Sequence, residues 1–61
     1  MTQTAKSQAE SYAASLEELS RALASQAKVF SDAGFIALGD SIHDQAAKLR
    51  GAIEQLRALD L

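Results

Sequence analysis

Few side chains in this 61-residue chain are equipped for chemistry: one histidine, seven serines, eight Asp plus Glu and six Lys plus Arg, with no cysteine. His43 stands three residues after Asp40 and beside Asp44. On a helix, Asp-x-x-His has the spacing of a carboxylate-bridged metal half-site that a neighbouring helix would complete. Completion fails on register, because a chain folded back on itself puts Glu17 and Glu18 about two helical turns from His43. His43 also takes an outward position, so it reads as a solvated side chain and no metal is expected. Nucleophilic catalysis needs a base held beside a serine. The serines fall mainly on helix flanks or caps, and no second histidine is there to do the orienting. Gly34, Gly39 and Gly51 are isolated and form no phosphate-cradling loop. The expectation is a non-enzymatic protein with no cofactor and no small-molecule substrate.

The remaining candidates are charged or aromatic. His43, Arg50 and Arg57 recur every seventh residue, with Lys48 nearby, and such a row is able to follow a phosphate backbone. The same residues also form ordinary exposed i, i+4 pairs: Arg50 with Glu54, Asp44 with Lys48, and Glu17 with Arg21. The solvated-face reading is preferred. Ile36, beside the expected turn, is an apolar residue facing outward and suits a protein contact. Arg21, Lys28, Ile36, His43, Arg50 and Arg57 are therefore the candidate partner-binding positions. Gly51, also outward, reads as a tolerated surface glycine or a point where a partner comes close. Tyr12, Phe30 and Phe35 have rings that stack on unpaired bases, yet their positions in the apolar repeat assign them to a core. A net charge of −2 and a pI near 5.1 argue against a polyanion binder driven by counterion release.

The elements that position these residues follow from an apolar repeat. In the first half Ala9, Leu16, Leu23 and Phe30 take heptad position a, and Ala5, Tyr12, Leu19, Gln26 and Ala33 take d. In the second half a is Phe35, Ile42, Leu49 and Leu56, and d is Leu38, Gln45, Ala52 and Leu59. Ser31-Asp32-Ala33-Gly34 separates them, with serine or aspartate available to cap a new helix and glycine to end the old one. Helix 1 is predicted over about residues 7–31, a turn over 31–34 and helix 2 over about 35–59, in one all-α domain spanning 1–61. Ser7-Gln8-Ala9-Glu10 matches a capping box that would start helix 1 near residue 8, with Thr2 and Thr4 as rival caps.

Folding back at Gly34 sets residues whose numbers sum to about 68 opposite each other. Phe30 then meets Leu38, Leu19 meets Leu49, Leu16 meets Ala52 and Tyr12 meets Leu56, while Leu23 faces Gln45 and Gln26 faces Ile42. The two amides in adjacent layers are a device for fixing register and oligomer state. Small or apolar residues at the flanking e and g positions (Ala13, Ser15, Ser20, Ala22, Ala27, Val29, then Ala46 and Ile53) widen the stripe beyond a two-helix seam. A lone hairpin would leave Leu16, Leu23, Leu49 and Ile53 half wet, at about 1.5–3 kcal/mol per large side chain. A chain of this length also buries too little surface to be stable alone without help. Two hairpins packed face to face as a homodimeric four-helix bundle are expected. Its self-association core comprises Tyr12, Leu16, Leu19, Leu23, Gln26, Phe30, Phe35, Leu38, Ile42, Gln45, Leu49, Ile53 and Leu56.

Asp40-Ser41-Ile42-His43-Asp44-Gln45-Ala46 followed by Leu49, with Asp32-Ala33 at the turn, resembles the acidic-Ser-Leu-His-Asp-His-Ala segment and Asp-Ala turn of the Rop family of plasmid copy-number regulators. That resemblance implies a homodimeric antiparallel bundle that recognises paired RNA hairpin loops through helix 1. The family's RNA face carries asparagine, phenylalanine, glutamine and lysines, where this chain has Ser11, Ala14, Glu17, Glu18 and Arg21, and only Lys6, Arg21 and Lys28 supply positive charge there. His43-Asp44-Gln45-Ala46 is also similar to a short run in the small phycobilisome-degradation adaptors, another family of dimeric helical hairpins. The leading expectation is a regulator or adaptor that binds another protein, with Rop-type RNA binding as the alternative. A polar amino terminus, no long apolar run and no cysteine lead to the expectation of a cytoplasmic chain without a membrane partner.

Overall fold

A computed structural model describes residues 4–59, in which α1 (Ala5–Asp32) and α2 (Ile36–Arg57) pack antiparallel as a helical hairpin. The leading helix starts one turn earlier than the capping box implied. Thr4 is its N-cap, with extended backbone, and its side-chain oxygen accepts from the Ser7 amide at 3.1 Å. The Gln8 amide donates to the Thr4 carbonyl at 3.0 Å and begins the helical ladder. Thr4 prevails because Ala5-Lys6-Ser7 offers nothing to interrupt a helix and a threonine oxygen satisfies an orphan amide. Ser7 thus serves as a donor within the first turn; the rival Thr2 lies outside the described residues.

The turn is closed by backbone alone. Gly34 adopts φ +96°, its amide donates to the Ser31 carbonyl at 3.0 Å, and the Phe35 amide donates to the Phe30 carbonyl at 2.9 Å. This pair of bonds defines a Schellman motif, whose usual companion is an apolar contact between the same two outer residues. Here that contact is aromatic: the rings of Phe30 and Phe35 meet edge to face with centroids 6.3 Å apart. Ser31 and Asp32 accordingly do not cap the second helix. Both lie in the last turn of α1, and α2 begins after Phe35 with no side-chain cap.

The hairpin closes on a different pair of rows from the expected a and d positions. Its seam consists of Ala13, Ser20 and Ala27 on α1 and Gly39, Ala46 and Ile53 on α2, all buried and all at e positions. Ser20 meets Ala46, with its hydroxyl donating to the Ala46 carbonyl at 3.3 Å. Near the turn Gly39 lies against Ala27 and Ser31, so closely that a Cβ there would overlap the Ser31 hydroxyl and sit 2.9 Å from the Ala27 carbonyl oxygen. Small residues at five of these six positions, all but Ile53, let the backbones come close, which large a and d side chains would prevent. The a and d side chains therefore flank the seam instead of filling it, and Leu16 and Ala52, like Tyr12 and Leu56, share a hollow beside it. Ile53 is likewise 4% exposed rather than half wet.

With extents of 48 × 20 × 9 Å, the hairpin is a plate one helix thick. Domains ordinarily bury their apolar faces between two layers, and this plate has one. No helix is long and apolar enough to cross a membrane among the described residues.

Candidate interaction faces

Rotating both helices onto the e row divides the remaining side chains between two faces. On one side of the seam lies the whole a and d repeat. Leu16, Leu23, Phe30, Ile42, Leu49 and Leu56 are half-buried at its inner edge. Beyond them Tyr12, Leu19 and Leu38 are 58%, 50% and 46% exposed, and Gln26 and Gln45 are exposed as well. Toward the chain ends this face sinks into a hollow of about 440 Å³ spanning both helices, lined by Tyr12, Leu16, Leu49, Ala52, Leu56 and Leu59 among others. Phe35, 59% exposed, stands at the opposite, turn end.

The other face is charged. A groove of about 350 Å³ runs between α1 and α2 there, with Ser20, Ala24 and Ile53 toward the seam and Glu17, Arg21, Arg50, Glu54 and Arg57 around it. Arg57 donates a hydrogen bond to Glu17 across the helices. That bond, then the charges of Arg57 and Arg21, holds the Glu17 carboxyl below the usual carboxylate range; the same bond and the Glu17 charge raise Arg57 above its ordinary value. Glu17 is therefore engaged across the seam rather than by Arg21, its expected i, i+4 partner. The expected Asp44–Lys48 pair is present at 3.2 Å, and Lys28 pairs with Asp32 at 3.4 Å.

Of the six candidate partner-binding positions, the structure brings Arg21, Arg50 and Arg57 together in this groove. Lys28, Ile36 and His43 do not line it; all are exposed, Ile36 to 57%. No group of three His, Asp or Glu residues able to hold a metal ion occurs among the described residues. Sequence reasoning took Glu17 for a partner of Arg21 and Gly39 for an isolated glycine, whereas the structure pairs Glu17 with Arg57 and sets Gly39 in the seam. The signal for Gly39 was its seven-residue spacing from Ala46 and Ile53, matching Ala13, Ser20 and Ala27 on the other helix. At Gly51, by contrast, a Cβ would meet open space, so within the hairpin the close approach belongs to Gly39.

No protein-family model, curated protein or solved structure matches this chain.

Proposed function

We propose that the chain acts as a non-enzymatic regulator or adaptor: a homodimer of helical hairpins that joins through the a and d face, forms a four-helix bundle and binds another protein on its outward surfaces. The observation that carries this reading is the exposed row of Tyr12, Leu19 and Leu38 on a plate one helix thick. The hairpin has an accessible surface of 4700 Å². A folded monomer of its 6.5 kDa exposes about 3,800 Å², and the difference, about 900 Å², is close to the roughly 800 Å² each partner covers in a standard stable interface. A second copy supplies an apolar surface of matching length, and a closed two-fold pairing of one patch with itself is the commonest oligomer symmetry.

The charged faces of such a dimer point away from the interface on both sides. They remain free for a further partner, which is what an adaptor needs. Rop-type RNA binding draws less support, since Glu17 and Glu54 stand among the arginines of the charged groove and the net charge is −2. Sedimentation equilibrium at micromolar concentration tests the dimer: twice the chain mass is expected, and a folded monomer overturns it. Titration with structured RNA at two salt concentrations tests the alternative, which requires salt-sensitive binding.

A further inference from the structure

All three arginines of the chain, Arg21, Arg50 and Arg57, line the one groove on the charged face. The lysines are placed differently. Lys28 and Lys48 sit in exposed i, i+4 pairs with Asp32 and Asp44, and Lys6 lines an adjoining hollow at the end of the hairpin with Ala9, Glu10, Leu56 and the far side of Arg57. The division follows the chemistry of the two side chains. A guanidinium presents a planar fork of donors that matches a carboxylate, whereas an ammonium is a strongly hydrated point charge suited to the surface.

The charges in the groove do not cancel. Three guanidinium groups face two carboxylates, Glu17 and Glu54. Glu17 is committed to Arg57. Neither Arg21 with Glu17 nor Arg50 with Glu54 forms an ion pair within 4.0 Å among the described residues, although both stand at the helical spacing that permits one. One positive charge is thus left over between two helices, beside the apolar atoms of Ala24 and Ile53.

We propose that this groove receives an acidic side chain of a partner protein, a glutamate or aspartate whose carboxylate is held by Arg21 and Arg50 while its methylene stem lies on Ala24 and Ile53. The proposal deepens the adaptor reading and rests on it for the identity of the partner as protein. One carboxylate restores neutrality. A phosphate chain brings a succession of negative charges past Glu17 and Glu54, and the groove has nothing further with which to offset them. A homodimer carries the groove twice, once on each outer face, so two acidic segments are held on opposite sides of the bundle.

The test uses the full chain and the arginine Nε–H signals in nitrogen-proton correlation spectra. The probes are N-acetylglutamate methylamide, its glutamine analogue and inorganic phosphate, each at constant ionic strength. The glutamate probe is expected to shift Arg21 and Arg50 saturably, and the glutamine analogue to leave them in place. Arg50→Gln is expected to weaken the glutamate response tenfold or more, with Arg50→Lys retaining only part of it. Equal responses to glutamate and glutamine, or a linear drift shared by all three arginines, overturns the proposal. Tighter saturation by phosphate than by glutamate also overturns it and points to a nucleic-acid backbone instead. Sedimentation of the same samples keeps the two readings apart: a dimer with no saturable shift removes the groove alone, and a monomer that shows the shift removes the bundle alone.

Discussion

The Ser20 hydroxyl donates to the Ala46 carbonyl oxygen at 3.3 Å, joining two helices through residues 26 positions apart in the chain. It is a side chain-to-backbone bond at the middle of a seam whose other members are Ala13, Ala27, Gly39 and Ile53, and it shows how near the two helices lie. A serine reaches only a short distance, so the acceptor belongs to the neighbouring helix's own backbone. Ser20→Ala is expected to cost about 0.5–1.5 kcal/mol, the net value of one such bond. Ser20→Leu is expected to cost more, because a side chain that size has no room between the backbones. Urea midpoints at fixed chain concentration measure both.

Two glycines should respond to alanine with opposite signs. Gly39→Ala places a methyl group 2.9 Å from the Ala27 carbonyl oxygen, a backbone atom that moves only with its helix, and is expected to lower stability by about 1–3 kcal/mol. Gly51→Ala adds a methyl into open space within a helix and is expected to raise stability by up to about 1 kcal/mol. Equal effects in paired thermal melts would contradict the seam.

The Glu17–Arg57 pair gives a pH dependence of definite sign. Its folded-state carboxyl is held below the ordinary value of 4.5, so the stabilisation is fully present above that value and disappears as pH falls through the lowered one. The difference in melting temperature between wild type and Glu17→Gln should therefore shrink in acid, and also in high salt, since both side chains are partly exposed. A difference that stays constant from neutral pH down to about pH 3 contradicts a contribution from the ionised pair.

The apolar face makes a prediction about association. Leu19→Glu combined with Leu38→Glu puts charges at two exposed positions that the hairpin seam does not use. These changes are expected to abolish the proposed dimer in sedimentation. Gln26→Leu with Gln45→Leu, on the same face, should act in the other direction and raise the denaturation midpoint, because apolar groups replace amides in the proposed interface.

At the turn, Gly34→Ala is expected to destabilise by about 1–2 kcal/mol, because φ +96° strains a residue with a side chain. Phe35→Ala removes the ring that meets Phe30 and should weaken the turn while leaving its two backbone bonds in place. Amide exchange at Gly34 and Phe35 distinguishes the cases.

The helical hairpin itself was legible because its signals are local. Heptad spacing, alanine abundance and a single glycine at the junction each depend on neighbours in the chain, and the turn came within a residue or two of its position. The seam was harder to read. Apolar size favoured a and d, since Leu16, Leu19 and Leu49 dominate any hydropathy pattern. Yet two helices alone settle on whichever rows let their backbones approach, and Ala13, Ser20, Gly39 and Ala46 carry almost no hydropathy signal. The charged groove shows the same limit. Seven-residue spacing of Arg50 and Arg57 marked a row on one helix, but the convergence of Arg21 with them, and the diversion of Glu17 to Arg57, depend on the angle at which the second helix is turned.

The small-residue seam also bears on dosage. Because it encloses little more than alanines, a serine, a glycine and Ile53, most of the apolar surface able to hold the fold lies, in the proposed dimer, on the face between the two copies. Stability then depends on how much protein is made, by mass action. For the proposed dimer, chains below the dimerisation threshold are expected to be more open to proteolysis than chains above it. A regulator built this way would have a switch point set by its own synthesis rate, and refolding half-times that shorten as concentration rises would reveal it.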